Sequence, residues 1–410
     1  MNIKINPSTL SGKVEAPASK SVAHRMLICA ALAKEKSTIR INKTSEDIEA
    51  TASCLRSLGV AIEKDGELWT VTPPSDFPEK AELDCGESGS TLRFMLPVVS
   101  ALGIDATLNG HGRLPSRPIA PLLDEMKRHG ISCDGSFPLH VSGRLTGGKY
   151  TVAGNISSQF ITGLLLALPL CDGESEIEVI PPVESKPYID ITTSVLSLFG
   201  VNTTKNDNIY TVKKSDFVSG DFTAEGDWSN AAFLLSLGVE VGGLDTGSTQ
   251  GDRKILDVLS SFGAEITQRN GTIQVNLSSL HGADVDASDI PDLVPVICAV
   301  ASTAEGTTRI YNASRLRLKE SDRIETTVRM INSLGGEAHE TDDGIIINGK
   351  KSLSGGTVDG CGDHRIVMSA AVASLKCENP VIIEGAQAVN KSYSEFFKDF
   401  NSLGGDSDVM

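Results

Sequence analysis

The chain has 410 residues, 40% of them hydrophobic, with 39 glycines, a formal net charge of −16 at pH 7 and a sequence pI near 4.9. That composition excludes disordered and fibrous classes and is long enough for two or three well-buried domains. The acidic surface repels nucleic-acid backbones and acidic membranes, so any anion that binds must find a local basic site. The eight cysteines (29, 54, 85, 133, 171, 298, 361 and 377) never form CxxC and are widely spaced. They are expected to be buried free thiols of a reducing cytoplasm, with no metal cluster and no disulfide framework. The start "MNIKINPSTL" shows no secretory pattern, and the longest apolar stretch, Phe160 to Cys171, is too short to span a bilayer.

Two phrases alternate along the chain. In the first, a short strand ends in a polar turn and an apolar helix follows: "KVEAPASKSVAHRMLICAALA", "ELDCGESGSTLRFMLPVVSALG", "YTVAGNISSQFITGLLLALPL", "FTAEGDWSNAAFLLSLG", "DASDIPDLVPVICAVAS" and "GTVDGCGDHRIVMSAAVAS". In the second, an amphipathic pattern closes on glycine: "LRSLGV", "MKRHGI", "LSLFGV", "LSSFGA", "INSLGG" and "FNSLGG". Those glycines, at 59, 130, 200, 263, 335 and 404, lie 71, 70, 63, 72 and 69 residues apart. Each sits where a helix C-cap places glycine, and most lead into a short strand. The chain therefore reads as six units of about 70 residues, each with one helix apolar all round and one amphipathic helix. A helix apolar on every side must be enclosed. The expected arrangement is two domains of three units, with apolar helices central and sheets and amphipathic helices outside. A solenoid is the alternative, but stacking along one axis would not bury those helices.

Polar residues gather where the apolar helices begin, and a helix N-terminus offers unpaired N–H groups and a partial positive charge to an anion. In chain order these starts carry Lys20, Ser21 and Arg25; "GESGSTLR" with Arg93; "GNISSQ" with hydroxyls and an amide; and "GDHRIVM" with His364 and Arg365. Further cations are Arg117 in "SRPIAP", Arg315, Arg317, Lys319 and Arg323 in "SRLRLKESDRI", and Lys391 in "VNKSYSEFF". On so acidic a chain they suggest one shared basic cleft for a polyanion, with arginine forks for carboxylate or phosphate. Candidate acid–base groups beside them are Asp292 in "IPDLVP", Glu320 and His364. A carboxylate among cations should stay ionised, which suits a base; Asp292 also suits a helix N-cap. No GxxxxGK[ST], GxGxxG, HExxH or GxSxG occurs, so nucleotide-driven, zinc-dependent and serine-hydrolase chemistries lose support. The residues point to an acid–base enzyme for small polyanions.

In order and spacing, "SKSVAHR", "GSTLR", "SRPI", "SSQF", "SKPYIDIT", "IPD", "LKESDR", "DHR" and a late lysine resemble the 5-enolpyruvylshikimate-3-phosphate synthase family over essentially the whole chain. The resemblance implies an α/β fold: a two-domain inside-out α/β barrel of six βαβαββ units, three per domain. One domain would comprise residues 1–18 and 224–410 and the other 19–223, with the active site in the cleft between them. The implied reaction moves the enolpyruvyl group of phosphoenolpyruvate to the 5-hydroxyl of shikimate 3-phosphate and releases phosphate, with no metal or organic cofactor. By motif match, Lys20, Gly89, Arg117, Gln159, Arg323, Arg365 and Lys391 would hold phosphoenolpyruvate. Lys20, Ser21, Arg25, Ser157, Ser158, Gln159, Ser185, Tyr188, Asp292, Arg315 and Lys319 would hold or adjoin shikimate 3-phosphate. Asp292, Glu320, Lys20 and His364 would share the proton transfers, Asp292 taking the hydroxyl proton.

The match has departures. Glu87 and Phe94 stand where enterobacterial members carry Asn and Pro, next to the phosphoenolpyruvate site, which bears on sensitivity to the analogue glyphosate, and Arg315 stands where they carry Asn. The related UDP-N-acetylglucosamine enolpyruvyl transferases carry a reactive Cys or Asp in a "GGCxIGxRPVD"-like loop, whereas this chain has "NGHGRLPSRPIAP". A non-catalytic polyanion-binding protein of the same fold is the alternative from another class. A cytoplasmic monomer, free of nucleic acid and membrane, is expected.

Overall fold

The computed structural model describes residues 1–410. Its twelve α-helices are α1 (Lys20–Ala31), α2 (Glu46–Ser57), α3 (Gly89–Leu102), α4 (Ala120–Arg128), α5 (Ser158–Ala167), α6 (Lys186–Leu198), α7 (Trp228–Ser236), α8 (Ile255–Ser261), α9 (Val294–Ala301), α10 (Arg323–Ser333), α11 (His364–Ser374) and α12 (Phe396–Ser402). The odd-numbered helices are the apolar ones, and they are enclosed. Every residue of α1 from Val22 to Ala31, and every residue of α9 and of α11, is buried. The even-numbered helices bury one face. In α2 only Ile48, Thr51, Ala52, Cys54 and Leu55 are buried.

All six even-numbered helices stop at the glycines of the second phrase. Gly59, Gly130, Gly200, Gly263, Gly335 and Gly404 have φ between 78° and 99°. A side chain there would meet its own backbone, so glycine ends the helix and turns the chain into the next strand.

Six four-stranded sheets accompany the helices. Every sheet has one parallel and two antiparallel pairings, and three repeats build theirs wholly from their own consecutive strands. In those, the first two strands run parallel across an apolar helix, and two antiparallel strands follow the amphipathic one, as in Lys80–Asp84, Asp105–Asn109, Leu139–Gly143 and Ile131–Cys133. None of the six sheets closes on itself, so the barrel-like arrangement is one of separate open sheets and helices.

The chain forms two compact units, one of Met1–Pro17 with Glu225–Met410 and one of Ala18–Ala224. In the inserted unit, α1, α3 and α5 share a core with Trp69, Phe94, Phe160 and Phe199. In the discontinuous unit, α7, α9 and α11 share one with Trp228, Phe233, Phe262 and Phe396. Each such side chain withdrawn from water contributes roughly 1.5–3 kcal/mol, which makes these helices the anchors of both units. Stacking of repeats along one axis is not what either core displays.

Strand exchange completes the other three sheets. The strand Lys13–Glu15, which precedes α1 in sequence, pairs with Glu240–Gly242 in the sheet of the fourth repeat. Asp221–Thr223 pairs in parallel with Ser37–Arg40. The N-terminal strand Ile3–Asn6 fills the last place in the sixth sheet, between Val381–Glu384 and Asp406–Val409. Strands of three or four residues carry almost no register information of their own, so the sequence pattern could not assign them to a sheet. No helix is long and apolar enough to cross a membrane.

Candidate functional site

In each unit the three enclosed helices bring their first turns together, and the polar residues of the first phrase sit on those turns. Serine or aspartate caps most of them. Ser19 Oγ accepts from Val22 N–H (3.4 Å), Ser88 Oγ from Thr91 N–H (3.2 Å) and Ser157 Oγ from Gln159 N–H (3.3 Å). Asp227 and Asp363 cap α7 and α11.

In the inserted unit, Lys20 opens α1 and donates to Oδ2 of Asp47 at 2.8 Å, both side chains being largely withdrawn from solvent. Arg25, one turn later, is 2% exposed. Its guanidinium donates to Thr192 Oγ1 (2.8 Å), the Ser21 carbonyl (2.5 Å), Thr162 Oγ1 (3.1 Å) and the Tyr188 carbonyl (3.0 Å), and its face stacks over Phe94 at 4.9 Å. Four hydrogen bonds commit most of a guanidinium's five donors, so Arg25 pins α1 to α5 and α6. Ser185, at the start of α6, is held at φ 53°, and its carbonyl accepts from Tyr188 N–H.

Gln159 joins the next two helices. Its Oε1 accepts from Arg93 Nη1 (2.7 Å), and its Nε2 donates to Ser90 Oγ (2.9 Å). Arg93 also donates to the Pro118 carbonyl (2.8 Å) and so fastens the segment that carries Arg117. Gly89 lies against both arginines, whose Nη1 atoms are within 2.7 Å of the place a β-carbon would occupy. Lys20, Ser21, Arg25, Gly89, Arg117, Ser157, Ser158, Gln159, Ser185 and Tyr188 thus all lie on or beside the first turns of α1, α3, α5 and α6.

The discontinuous unit carries the carboxylates. Asp292 lies in the 3-10 turn Pro291–Leu293 just before α9. Its Oδ1 accepts from Arg323 Nη1 (2.8 Å) and Lys319 Nζ (3.3 Å), and its Oδ2 accepts from Arg365 Nη2 (3.1 Å). Arg365 also donates to the Asp292 carbonyl and to Ser229 Oγ, both at 3.0 Å. Arg323 is 1% exposed and reaches Glu320 Oε2 (2.6 Å) and Asp363 Oδ2 (2.8 Å) as well. Burial works against its charge, but Asp363, Glu320 and Asp292 outweigh burial and keep it firmly protonated. Burial lowers the Lys319 ammonium, with Asp292 partly restoring it. Burial pushes the Asp363 carboxyl up, but Arg323 brings it below the usual aspartate value.

Two predicted residues stand at the edge of this group. Arg315 donates to the Ser288 carbonyl (3.0 Å), and half-buried Lys391 donates to the Gly362 carbonyl (2.7 Å) in the loop before α11. His364 is 1% exposed beside Asp363. Of the cysteines, seven are buried and Cys361 is half-buried, its Sγ accepting from Arg329 at 2.7 Å.

The sequence reading did not single out Asp47, Asp363, Asp252 or Ser229. Asp47 looked like an ordinary acid in the first turn of an amphipathic helix, and Asp252 lies in the polar run "QGDRK". Asp363 had a usable signal. An Asp directly before the His–Arg pair at a helix start is an N-cap, and a buried N-cap carboxylate can also hold an arginine.

The chain as a whole is similar to known proteins. The family model described as EPSP synthase (3-phosphoshikimate 1-carboxyvinyltransferase) matches residues 5–400. A 3-phosphoshikimate 1-carboxyvinyltransferase of Clostridium kluyveri is 45% identical, covering 99% of this chain and 98% of its own. Another, of Clostridium novyi, is 41% identical with 98% of each covered. A solved EPSP synthase of Acinetobacter baumannii matches the whole of both chains with a TM-score of 0.82 at 26% identity. The chain belongs to the EPSP synthase family.

Proposed function

We propose that the protein transfers the carboxyvinyl group of phosphoenolpyruvate to the 5-hydroxyl of shikimate 3-phosphate and releases phosphate, a step of the shikimate pathway. Family membership and the relatives' names support this reading. The observation that carries it is Asp292, a carboxylate gripped by Lys319, Arg323 and Arg365. None of the relatives named above is a UDP-N-acetylglucosamine enolpyruvyl transferase.

In this reading the cations do the binding. Lys20, Arg117, Arg323, Arg365 and Lys391, with Gln159 and the Gly89 backbone, hold the phosphate and carboxylate of phosphoenolpyruvate. Ser21, Arg25, Ser157, Ser158, Ser185, Tyr188, Arg315 and Lys319 hold or adjoin shikimate 3-phosphate. Proton transfer to the methylene carbon makes the neighbouring carbon electrophilic, and the 5-oxygen bonds to it as Asp292 takes the hydroxyl proton. The resulting tetrahedral intermediate then loses a proton from the new methyl group as the carbon–oxygen bond to phosphate breaks. Glu320, Lys20 and His364 share the carbon and phosphate protons. Fixed donors around the reacting centre need no reorganisation as charge develops.

The test is phosphate release from phosphoenolpyruvate with shikimate 3-phosphate in one sample and UDP-N-acetylglucosamine in another. Release only with the first acceptor, abolished in Asp292→Ala, is the expected result. Release with neither acceptor would replace catalysis by polyanion binding.

A further inference from the structure

Behind Asp292 lies a second aspartate that the reaction as written does not use. Asp252, in the 3-10 turn Gly251–Lys254, is 4% exposed. Ser229 Oγ, in the first turn of α7, donates a hydrogen bond to Asp252 Oδ2. The serine Oγ in turn accepts from Arg365 Nη2 at 3.0 Å, and that nitrogen also donates to Asp292 Oδ2 at 3.1 Å. One hydroxyl and one guanidinium therefore stand between the two carboxyls.

We propose that Asp252 is a positioning residue for Asp292, acting through Ser229 and Arg365 so that its charge sets the basicity of the carboxylate. The proposal rests on the reading of Asp292 as the base. Its physical ground is the balance of charge in the buried network. Asp292, Glu320, Asp363 and Asp252 supply four carboxyls, against the three cations Lys319, Arg323 and Arg365. Such a network favours keeping one proton, and Asp252 is the most apt holder. Burial and then Asp292 push its carboxyl up to about 7, with Arg365 and Ser229 pulling the other way.

Three elements besides its own turn present groups to Asp252. Helix α7 presents Ser229 and its cap Asp227, which adds to the upward shift; the turn before α9 presents Asp292; α11 presents Arg365. On its own turn, Arg253 and Lys254 turn outward to the Thr246 carbonyl and to Asp289.

The coupling runs both ways. When Asp252 is ionised, its charge opposes that of Asp292 and makes Asp292 a stronger base. When Asp252 is protonated, it no longer requires the Ser229 proton, and Asp292 weakens. By reciprocity, a proton arriving on Asp292 favours ionisation of Asp252, as expected of two interacting sites.

The experiment pairs a titration with kinetics. Protein labelled with ¹³C at aspartate carboxyls is titrated as wild type, Asp252→Asn and Asp292→Asn. A resonance titrating near neutrality in wild type and missing from Asp252→Asn is expected. In Asp292→Asn it should move down by about one pH unit, because the neighbouring charge is gone. This readout is independent of turnover, so it survives failure of the assigned reaction. In the assay, wild-type kcat should show an acid limb near pH 7, where Asp252 takes up its proton and Asp292 weakens; Asp252→Asn should lack that limb and give a kcat about tenfold lower above it, with both KM values within a factor of two or so. A purely structural aspartate would lower thermal stability and leave the limb in place. No neutral-range titration, or one unmoved in Asp292→Asn, overturns the proposal.

Discussion

A β-carbon on Gly89 would stand 2.6 Å from Nη1 of Arg117 and 2.7 Å from Nη1 of Arg93. Glycine is required here by the arginines and not by the backbone, because Gly89 is the first residue of α3 and alanine suits that position. Gly89→Ala should fold normally and push both guanidinium groups away from the helix terminus. We expect KM for phosphoenolpyruvate to rise on the order of tenfold or more, with an unchanged unfolding midpoint and a smaller change for shikimate 3-phosphate. Steady-state kinetics with each substrate varied in turn would check this. An unaltered KM would remove Arg117 from the binding set.

Asp292→Asn keeps the shape of the side chain and removes its charge and basicity. Lys319 and Arg365 would then lose this carboxylate, while Arg323 would keep Glu320 and Asp363. As the proposed base, its loss should lower kcat by about 10²–10⁴ and leave the affinity for phosphoenolpyruvate near wild type or tighter. Equilibrium binding beside single-turnover kinetics separates the two effects. A variant that binds poorly but turns over normally would make Asp292 a binding group.

Asp363 performs two tasks that can be measured apart. Its Oδ1 accepts from Arg365 N–H at 3.0 Å as the cap of α11, and its Oδ2 accepts from Arg323 Nε at 2.8 Å. Asp363→Ala removes both and leaves Arg323 in a buried site with less negative charge, a change expected to cost about 3–5 kcal/mol. Asparagine caps a helix nearly as well as aspartate, so Asp363→Asn should recover about 1 kcal/mol of that. Urea unfolding of the three proteins gives both numbers. Equal stability of the Asn variant and wild type would mean that the charge contributes nothing.

The repeat was legible because its physics is local. A glycine at positive φ closes each even-numbered helix, and an unbroken apolar run such as "VPVICAVA" has to be enclosed wherever it lies. The cations at the helix starts were legible for the same reason. What the sequence hid was non-local. Nothing in "KVE" says that it pairs with Glu240–Gly242, or that Asp221–Thr223 takes the place beside Ser37–Arg40. Asp47, Asp252 and Asp363 read as surface acids until the fold sets Lys20, Ser229 and Arg323 against them. Arg25 shows the converse, since a residue marked for ligand binding makes four hydrogen bonds to its own chain.

Two buried groups should give the stability of the fold an unusual dependence on pH. His24 is fully enclosed, with Nδ1 2.6 Å from Thr51 Oγ1, and burial, then Lys20 and Arg25, hold its pKa well below 6.5. The unfolded chain therefore binds a proton at His24 that the folded chain refuses, and this stabilisation, complete above 6.5, is lost as pH falls. Asp252 has the opposite sign. Its carboxyl titrates at about 7 when folded and near 3.8 when unfolded, so its stabilisation is present at low pH and lost as pH rises to about 7. Between about pH 5 and 6.5 the two slopes, each at most about 1.4 kcal/mol per pH unit, offset one another. Wild type should be nearly flat there. Substitution of His24 by Asn should expose the Asp252 slope, making the variant gain stability relative to pH 7.5 as the solution is acidified, and Asp252→Asn should show the reverse. Comparing slopes of urea-unfolding free energy between pH 5 and 7.5 cancels any packing loss that is independent of pH. Parallel curves for all three proteins would show that neither group titrates differently on folding.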